Sequence, residues 1–184
     1  MTSRTIRFLF ATFAVAAAVG VLPAAASATT TYASFSDVCR VREYPPESCL
    51  NSGANLFEVG WTNGGDSLNV FNVNWYVPTG NEVCEATFRV TNPWAMTGTV
   101  EVGDAGPNWD ASHTWYTYDV WSEVTTWESY SPGSAGEDEV DVTDEIADLV
   151  ANNRSWVDLT VFGPGASNGY LSDPELEIEY APSC

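Results

Sequence analysis

An all-β fold is what this 184-residue sequence predicts: two antiparallel sheets packed face to face as a β-sandwich of jelly-roll type, with one short helix. Three observations lead there. Apolar residues alternate with polar ones over short runs separated by Gly, Pro and Asn turn signals, the period of half-buried strands. Helical spacing is clear in one place alone, Val140–Gly163. Four cysteines, an even number, suit a small exported domain stapled by two disulfides.

The stretch Val140–Gly163 changes period twice. Val140 and Val142 alternate with Asp141 and Thr143 as a strand. Ile146, Leu149 and Val150 then share a helical face behind Thr143, the expected N-cap. Asp144 and Glu145 sit in the first turn, where carboxylates meet the positive helix end. Asn152 and Asn153 end the helix. Val157, Leu159 and Val161 alternate again, which turns Trp156 and Phe162 to the opposite, solvent-facing side.

Residues 1–28 read as a secretory signal. Arg4 and Arg7 precede an apolar run from Phe8 to Leu22, and Ala26-Ser27-Ala28 offers small residues for cleavage. The expected location is therefore secreted and extracellular. No second long apolar run follows, so no membrane span is expected. Thr29–Ser36 is small and polar and reads as a flexible N-terminal arm, 29–36, ahead of a single domain over 37–184. The formal net charge is −19, with no lysine. Once the leader is gone, Arg40, Arg42, Arg89 and Arg154 alone face 25 acids. Such a chain repels nucleic acid, anionic lipid and polyanionic glycans, and its charge speaks first to solubility.

Four cysteines allow three pairings. In Glu82–Val90, Cys84 shares parity with Ala86, Phe88 and Val90. In the closing strand Glu175–Tyr180, Leu176, Ile178 and Tyr180 share a face whose parity continues to Cys184. Antiparallel neighbours would bring Cys84 beside Cys184, leaving Cys39 and Cys49 to close a small loop turned by two prolines. Cys39–Cys49 and Cys84–Cys184 is the expected pairing. The spacings do not suit zinc.

Further strands are expected over Asp37–Arg42, Leu56–Trp61, Leu68–Val77 and Thr97–Val102. In Leu68–Val77 the apolar parity slips from Leu68 and Val70 to Phe71, Val73, Trp75 and Val77, which predicts a β-bulge near Val70-Phe71. Gly103–Tyr130 is a long aromatic segment, and Ser131–Glu139 a Gly/Ser/acid loop. Glu175, Glu177 and Glu179 line the outer side of the closing strand, a row of like charge that discourages pairing with other molecules.

Several runs together resemble the DNRLRE-type β-sandwich modules, a group close to bacterial carbohydrate-binding modules. LFEVG at Leu56–Gly60, LNVFNVNW at Leu68–Trp75, EATFRV at Glu85–Val90, WSEVTTW at Trp121–Trp127, VDVTDEIADLV at Val140–Val150 and DPELEIEY at Asp173–Tyr180 match in order. The arginine-rich motif that names the family is absent, with asparagines in the long strand instead, and the four cysteines are additional. The resemblance implies a non-catalytic binding module, an expectation about fold before ligand.

Sugar rings stack their C–H faces on flat aromatic rings, so eight tryptophans direct attention to a glycan site. Trp109, Trp115 and Tyr118 lie in the polar aromatic segment and, with Trp156, are the expected stacking platforms. Trp121 and Trp127 sit in scaffold-like pattern and are assigned to packing. Asp104, Asp110 and Asp119 are calcium candidates, as are Glu137, Asp138 and Asp141, although so acidic a chain forms such groups by chance. His113 is the single histidine, no nucleophile elbow occurs, and no catalytic residue or other cofactor is assigned. The expected function is a secreted, non-catalytic module that recognises an extracellular polysaccharide. The alternative is a structural or connector subunit with a secreted protein partner, its arm adding as a strand to that partner's sheet.

Overall fold

Thr29–Tyr32 (β1) and Ser34–Arg42 (β2) form a corner: the chain runs in one sheet, turns at Ala33, and continues in the other. The segment expected as a flexible arm is thus built into the molecule. Thr29–Tyr32 pairs antiparallel with Tyr180–Glu177 of the closing strand, so it is already taken up at home and is not a spare strand for a partner. Four β-prone residues, three Thr and a Tyr, suit this role.

The computed structural model describes residues 27–43, 47–51, 56–60, 66–163 and 169–184; the side chains of 37, 38 and 47–51 lie outside the description. The leader up to residue 26, the prolines of the Cys39–Cys49 loop, Trp61 and the turns at 52–55, 63–65 and 164–168 also lie outside it. The remaining elements are β3 (Glu47–Asn51), β4 (Phe57–Val59), β5 (Ser67–Asn74), β6 (Glu82–Asn92), β7 (Val100–Asp104), α1 (Val120–Glu123), β8 (Thr125–Tyr130), β9 (Gly136–Asp141), α2 (Thr143–Ala151), β10 (Trp156–Phe162) and β11 (Gly169–Ala181). One sheet runs β3-β2-β5-β10-β7-β8; the other runs β1-β11-β6-β9, with β4 on the start of β11. Every pairing is antiparallel. This is the predicted two-sheet sandwich. Four elements exceed the expectation: β1, β3, the one-turn helix α1, and β8, which ends the aromatic segment as an edge strand. The Gly/Ser/acid loop also ends early, because β9 begins at Gly136.

Phe57, Phe71, Phe88, Leu159, Leu176 and Ile178 are sealed between the sheets, each worth about 1.5–3 kcal/mol in burial. α2 plugs one end with Ile146. Val142, not Thr143, is its N-cap; Thr143 opens the helix and accepts the Ala86 N–H of β6 on its hydroxyl at 2.9 Å. Asp141 does the capping, taking the Thr143 N–H at 3.0 Å and its hydroxyl at 2.6 Å, which holds the Asp141 carboxyl below its ordinary range.

The parity slip in β5 has a different cause from the expected bulge. β5 pairs with β10 without interruption from Leu68↔Phe162 to Asn74↔Trp156. Phe71, Val73 and Trp75 face the main core, whereas Leu68 and Val70 belong to a second cluster with Cys39, Val41, Ala105, Tyr118, Val120 and Phe162. Both faces of β5 are buried, by different partners. The extra residue lies in β2, opposite Asn72–Val70. Other bulges fall at Asp173-Pro174 in β11, where Asp173 takes φ 50°, and at Cys84 in β6. A proline in a long central strand is tolerated at such a break in the ladder.

The bulge sets Cys84 beside the chain end, and Cys84–Cys184 is a disulfide spanning 100 residues of sequence. Cys39 is disulfide-bonded as well; the Cys49 side chain of the other expected pair lies outside the description. Among the described residues no helix is long and apolar enough to cross a membrane.

On the outer side of β11, the acidic row is partly neutralised. Arg89 of β6 bonds Glu139 at 2.8 Å, pairs with Glu177, and lies 3.7 Å from Glu175. Asp138, by contrast, turns toward the interior beside Tyr130, and neither its Oδ2 nor the Tyr130 hydroxyl has a partner. Burial raises the Asp138 carboxyl above its ordinary value.

Two outcomes follow. A Cβ on Gly103 would lie 2.2 Å from the Thr125 carbonyl oxygen across β7–β8, so Gly103→Ala should cost about 1–3 kcal/mol in denaturant unfolding. The raised Asp138 pKa means that ionisation burdens the folded state only as pH rises through and above the carboxylate range. Asp138→Asn should therefore raise the unfolding midpoint at neutral pH, and the gain should vanish below the ordinary aspartate range; an equal gain at both would refute the assignment.

Candidate functional site

The outer face of the six-stranded sheet is divided across its strands. On one half, Val41 and Cys39 of β2, Leu68 and Val70 of β5, and Phe162 of β10 point outward and are apolar. Left open they would form a wet hydrophobic patch. Residues 105–124 fold back over them as a roof. Tyr118 drives into it, 2 % exposed, and donates its hydroxyl to the Ala105 carbonyl. Trp109 meets the Tyr118 ring edge-on at 5.1 Å, and His113 stacks on it at 5.6 Å. Trp115 and Trp121 reach Phe162 at 6.0 and 5.3 Å.

The expected platforms therefore separate. Tyr118 is a buried anchor, not a platform. Trp109 and Trp115 are half-buried parts of the roof. Trp121, assigned to packing, is 67 % exposed on top of it, while Trp127 packs half-buried against the main core as expected. A polar, Gly/Asn-rich segment looks the same in sequence whether its aromatics reach for solvent or for an apolar sheet face. The signal that distinguishes them is the outward Leu68/Val70 pair, which needs a cover.

The other half of the same face is open and polar. In register across the sheet stand Ser34, Asn74 and Trp156, and beside them Ser36, Asn72 and Asp158. Asn72 donates to Asp158 Oδ1 at 3.1 Å, Asn74 donates to Asn72 Oδ1 at 2.7 Å, and the Ser36 hydroxyl approaches Asn72 Oδ1 at 3.5 Å. This chain of hydrogen bonds fixes the amides as a rigid row of donors and acceptors. Trp156 is 43 % exposed, as its parity in β10 predicts, whereas Phe162, of the same parity and expected to face solvent, is buried under the roof. The Arg154 guanidinium lies 4.8 Å from its ring centroid and 3.5 Å from Asp104, which pins the indole. Tyr76, 71 % exposed and missed in the sequence, stands two residues beyond Asn74.

The calcium candidates do not converge. Asp104 takes the Gly106 N–H and faces Arg154; the Ser112 side chain, together with the Ser112 N–H at 2.7 Å, holds the Asp110 carboxyl below its ordinary value; Asp119 ends in solvent. On β9, Glu137 and Asp141 project from the side opposite Asp138. Among the described residues no three such side chains are grouped to hold a metal ion.

At the α2 end, a cleft of about 680 Å³ opens between the helix and the turn that follows β5. Trp75 forms part of its wall, with Asn81, Glu82, Asp148 and Arg154 around it.

Tyr118→Phe should cost about 1–3 kcal/mol, because the buried Ala105 carbonyl loses its partner. The same substitution should expose Trp109 and Trp115, read as increased acrylamide quenching of tryptophan fluorescence.

No family model matches the chain and no curated protein is significantly similar to it, so the functional reading rests on the open, asparagine-lined half of the sheet itself.

Proposed function

We propose that the protein is a non-catalytic module that binds a neutral extracellular glycan on the open half of the six-stranded sheet. The observation that carries this is Trp156, exposed and pinned, in sheet register with Asn74 and Ser34 and beside the Asn72–Asp158 pair. An exposed aromatic ring flanked by fixed amides and a carboxylate offers what a pyranose needs: an apolar face for its C–H bonds and alternating donors and acceptors for its hydroxyls.

Charge supports the choice of ligand and of face. The other sheet's outer side carries Glu85, Glu137, Glu139, Glu175, Glu177 and Glu179 around a single Arg89. That face repels any polyanion, and the exposed ring on it, Tyr32, stands directly opposite Glu177. Among the described side chains of the open half the carboxylate in the ladder is Asp158, already bonded to Asn72. Neutral polymers are thus preferred over uronic or sulfated ones at low salt. The reading places Trp156 in the role expected of it and takes that role away from Tyr118.

Retention on insoluble neutral polysaccharides tests this. The protein should be held by at least one of cellulose, mannan, xylan or chitin, and Trp156→Ala should weaken that binding by about tenfold or more, about 1.4 kcal/mol, with an unchanged circular dichroism spectrum. Retention of Trp156→Ala at the parent's level, or no retention of the parent on any of the four, would sink the reading.

A further inference from the structure

Burial alternates strictly along the end of β5 and the two residues after it. Phe71, Val73 and Trp75 are buried in the main core, while Asn72, Asn74 and Tyr76 face out. The Trp75 N–H bonds the Ser155 carbonyl at 3.0 Å, so the ladder with β10 runs one step past Asn74↔Trp156 and carries the strand geometry on to Tyr76. Val77 packs against the same core, and the Pro78 carbonyl then takes the Asn81 N–H at 3.2 Å and its side-chain amide at 2.9 Å. Tyr76 therefore stands between two anchored residues, ahead of a closed turn, and presents its ring from a fixed backbone. A lone exposed ring is ordinary on any surface. Tyr76 is not alone: it completes an outward column, Asn72, Asn74, Tyr76, whose middle member is in register with Trp156.

Sheet geometry sets the spacing of the two rings. Tyr76 lies two residues along β5 from the partner of Trp156 and one strand across, which puts the two Cα positions about 8–9 Å apart. A single pyranose stacked on one ring leaves the other bare; linked pyranoses cover both. Asn74 occupies the corner between them, next to Trp156 across the ladder and next to Tyr76 along the strand. Its Nδ2 donates to Asn72 Oδ1 at 2.7 Å, which leaves its own Oδ1 to accept from a hydroxyl lying between the rings. Beside Tyr76 the neighbouring strand has already left this sheet: the chain crosses over at Ala33, whose N–H bonds the Leu176 carbonyl of β11 at 2.9 Å. We infer that Tyr76 is a second stacking ring, and that the ligand is a run of linked sugars in an extended neutral glycan, laid diagonally from Trp156 past Asn74 to Tyr76. This rests on the glycan reading above and adds to it the length and the path of the chain that is bound.

The Trp156 indole N–H and the Tyr76 ring resonances of isotope-labelled protein report the two rings separately. Soluble tetrasaccharides of β-1,4-linked glucose, mannose, xylose and N-acetylglucosamine are the probes. For at least one of them both rings should respond, with one shared saturation midpoint. Tyr76→Ala should weaken that saccharide's binding by about fivefold or more, and Tyr76→Phe, which keeps the ring, should stay within about twofold of the parent. Tyr76 is 71 % exposed, so neither variant should alter the circular dichroism spectrum. If Trp156→Ala loses polymer retention while Tyr76→Ala binds like the parent and the Tyr76 ring stays still, the second ring falls and the Trp156 platform stands. If Tyr76 keeps its midpoint in Trp156→Ala, the two rings do not share one chain and the inference falls. If Trp156→Ala is retained like the parent, or the parent is held by no polymer and neither ring responds, the glycan reading and this inference fall together.

Discussion

The rest of the structure follows from a reversal of sidedness along β2 and β5. Over Val73 and Phe71 the apolar side chains point between the sheets. Over Leu68, Val70, Cys39 and Val41 they point out, and the space between the sheets receives polar residues instead. Arg40 and Arg42 reach Glu58, the first at 3.0 Å, and the Glu58 carbonyl takes Asn69 Nδ2 at 2.7 Å and the Ser67 hydroxyl at 3.0 Å. A buried ion cluster of this kind adds little net stability against an apolar alternative, but removing one member strands the others. Its effect is to fix which way each strand faces at this end. Once Leu68 and Val70 face outward, they require a cover, and residues 105–124 exist in their observed form because of that requirement.

The cover in turn defines where a ligand can lie. It occupies half of the outer sheet face and leaves the half that carries Ser34, Ser36, Asn72, Asn74 and Trp156. The boundary is tied down: the Ala105 N–H bonds the Asp158 carbonyl at 2.9 Å, at the foot of the asparagine row. Asp104, next in the chain, holds the arginine that pins Trp156. Packing of the roof and placement of the open aromatic are therefore linked through two adjacent residues. The opposite sheet presents a carboxylate-rich outer surface, with Tyr32 exposed opposite Glu177.

Strand alternation carries most of the sandwich in the sequence, because period two survives wherever one face is buried against the other sheet. It fails where a strand is buried on both faces. β5 shows this: a slip in parity from Leu68/Val70 to Phe71/Val73 is equally the mark of an inserted residue and of a strand with two cores, and only the pairing with β10 separates them. The aromatic segment fails for the same reason at one remove. Nothing local to Tyr118 reveals the apolar patch it fills, since that patch is made by β2, β5 and β10. Trp156 was legible because its strand is buried on one side only at that point. Trp75 was legible as well: it continues the parity of Phe71 and Val73 and is buried in the same core, which leaves Tyr76 on the opposite side. Thr29–Tyr32 was too short and polar to read as a strand; its partner is about 150 residues away in the chain, beyond any local pattern.

The Cys84–Cys184 bond has a mechanical meaning. β11 is the longest of the described strands and binds β1, β4 and β6, and its Ala181 end lies three residues before Cys184. With that end tied to β6, tension applied at Cys184 passes into an eleven-residue neighbouring strand and loads the β6–β11 ladder in shear, many hydrogen bonds at once, where an untied end would unzip them singly. A domain held this way resists being peeled apart from the Ala181 end of β11.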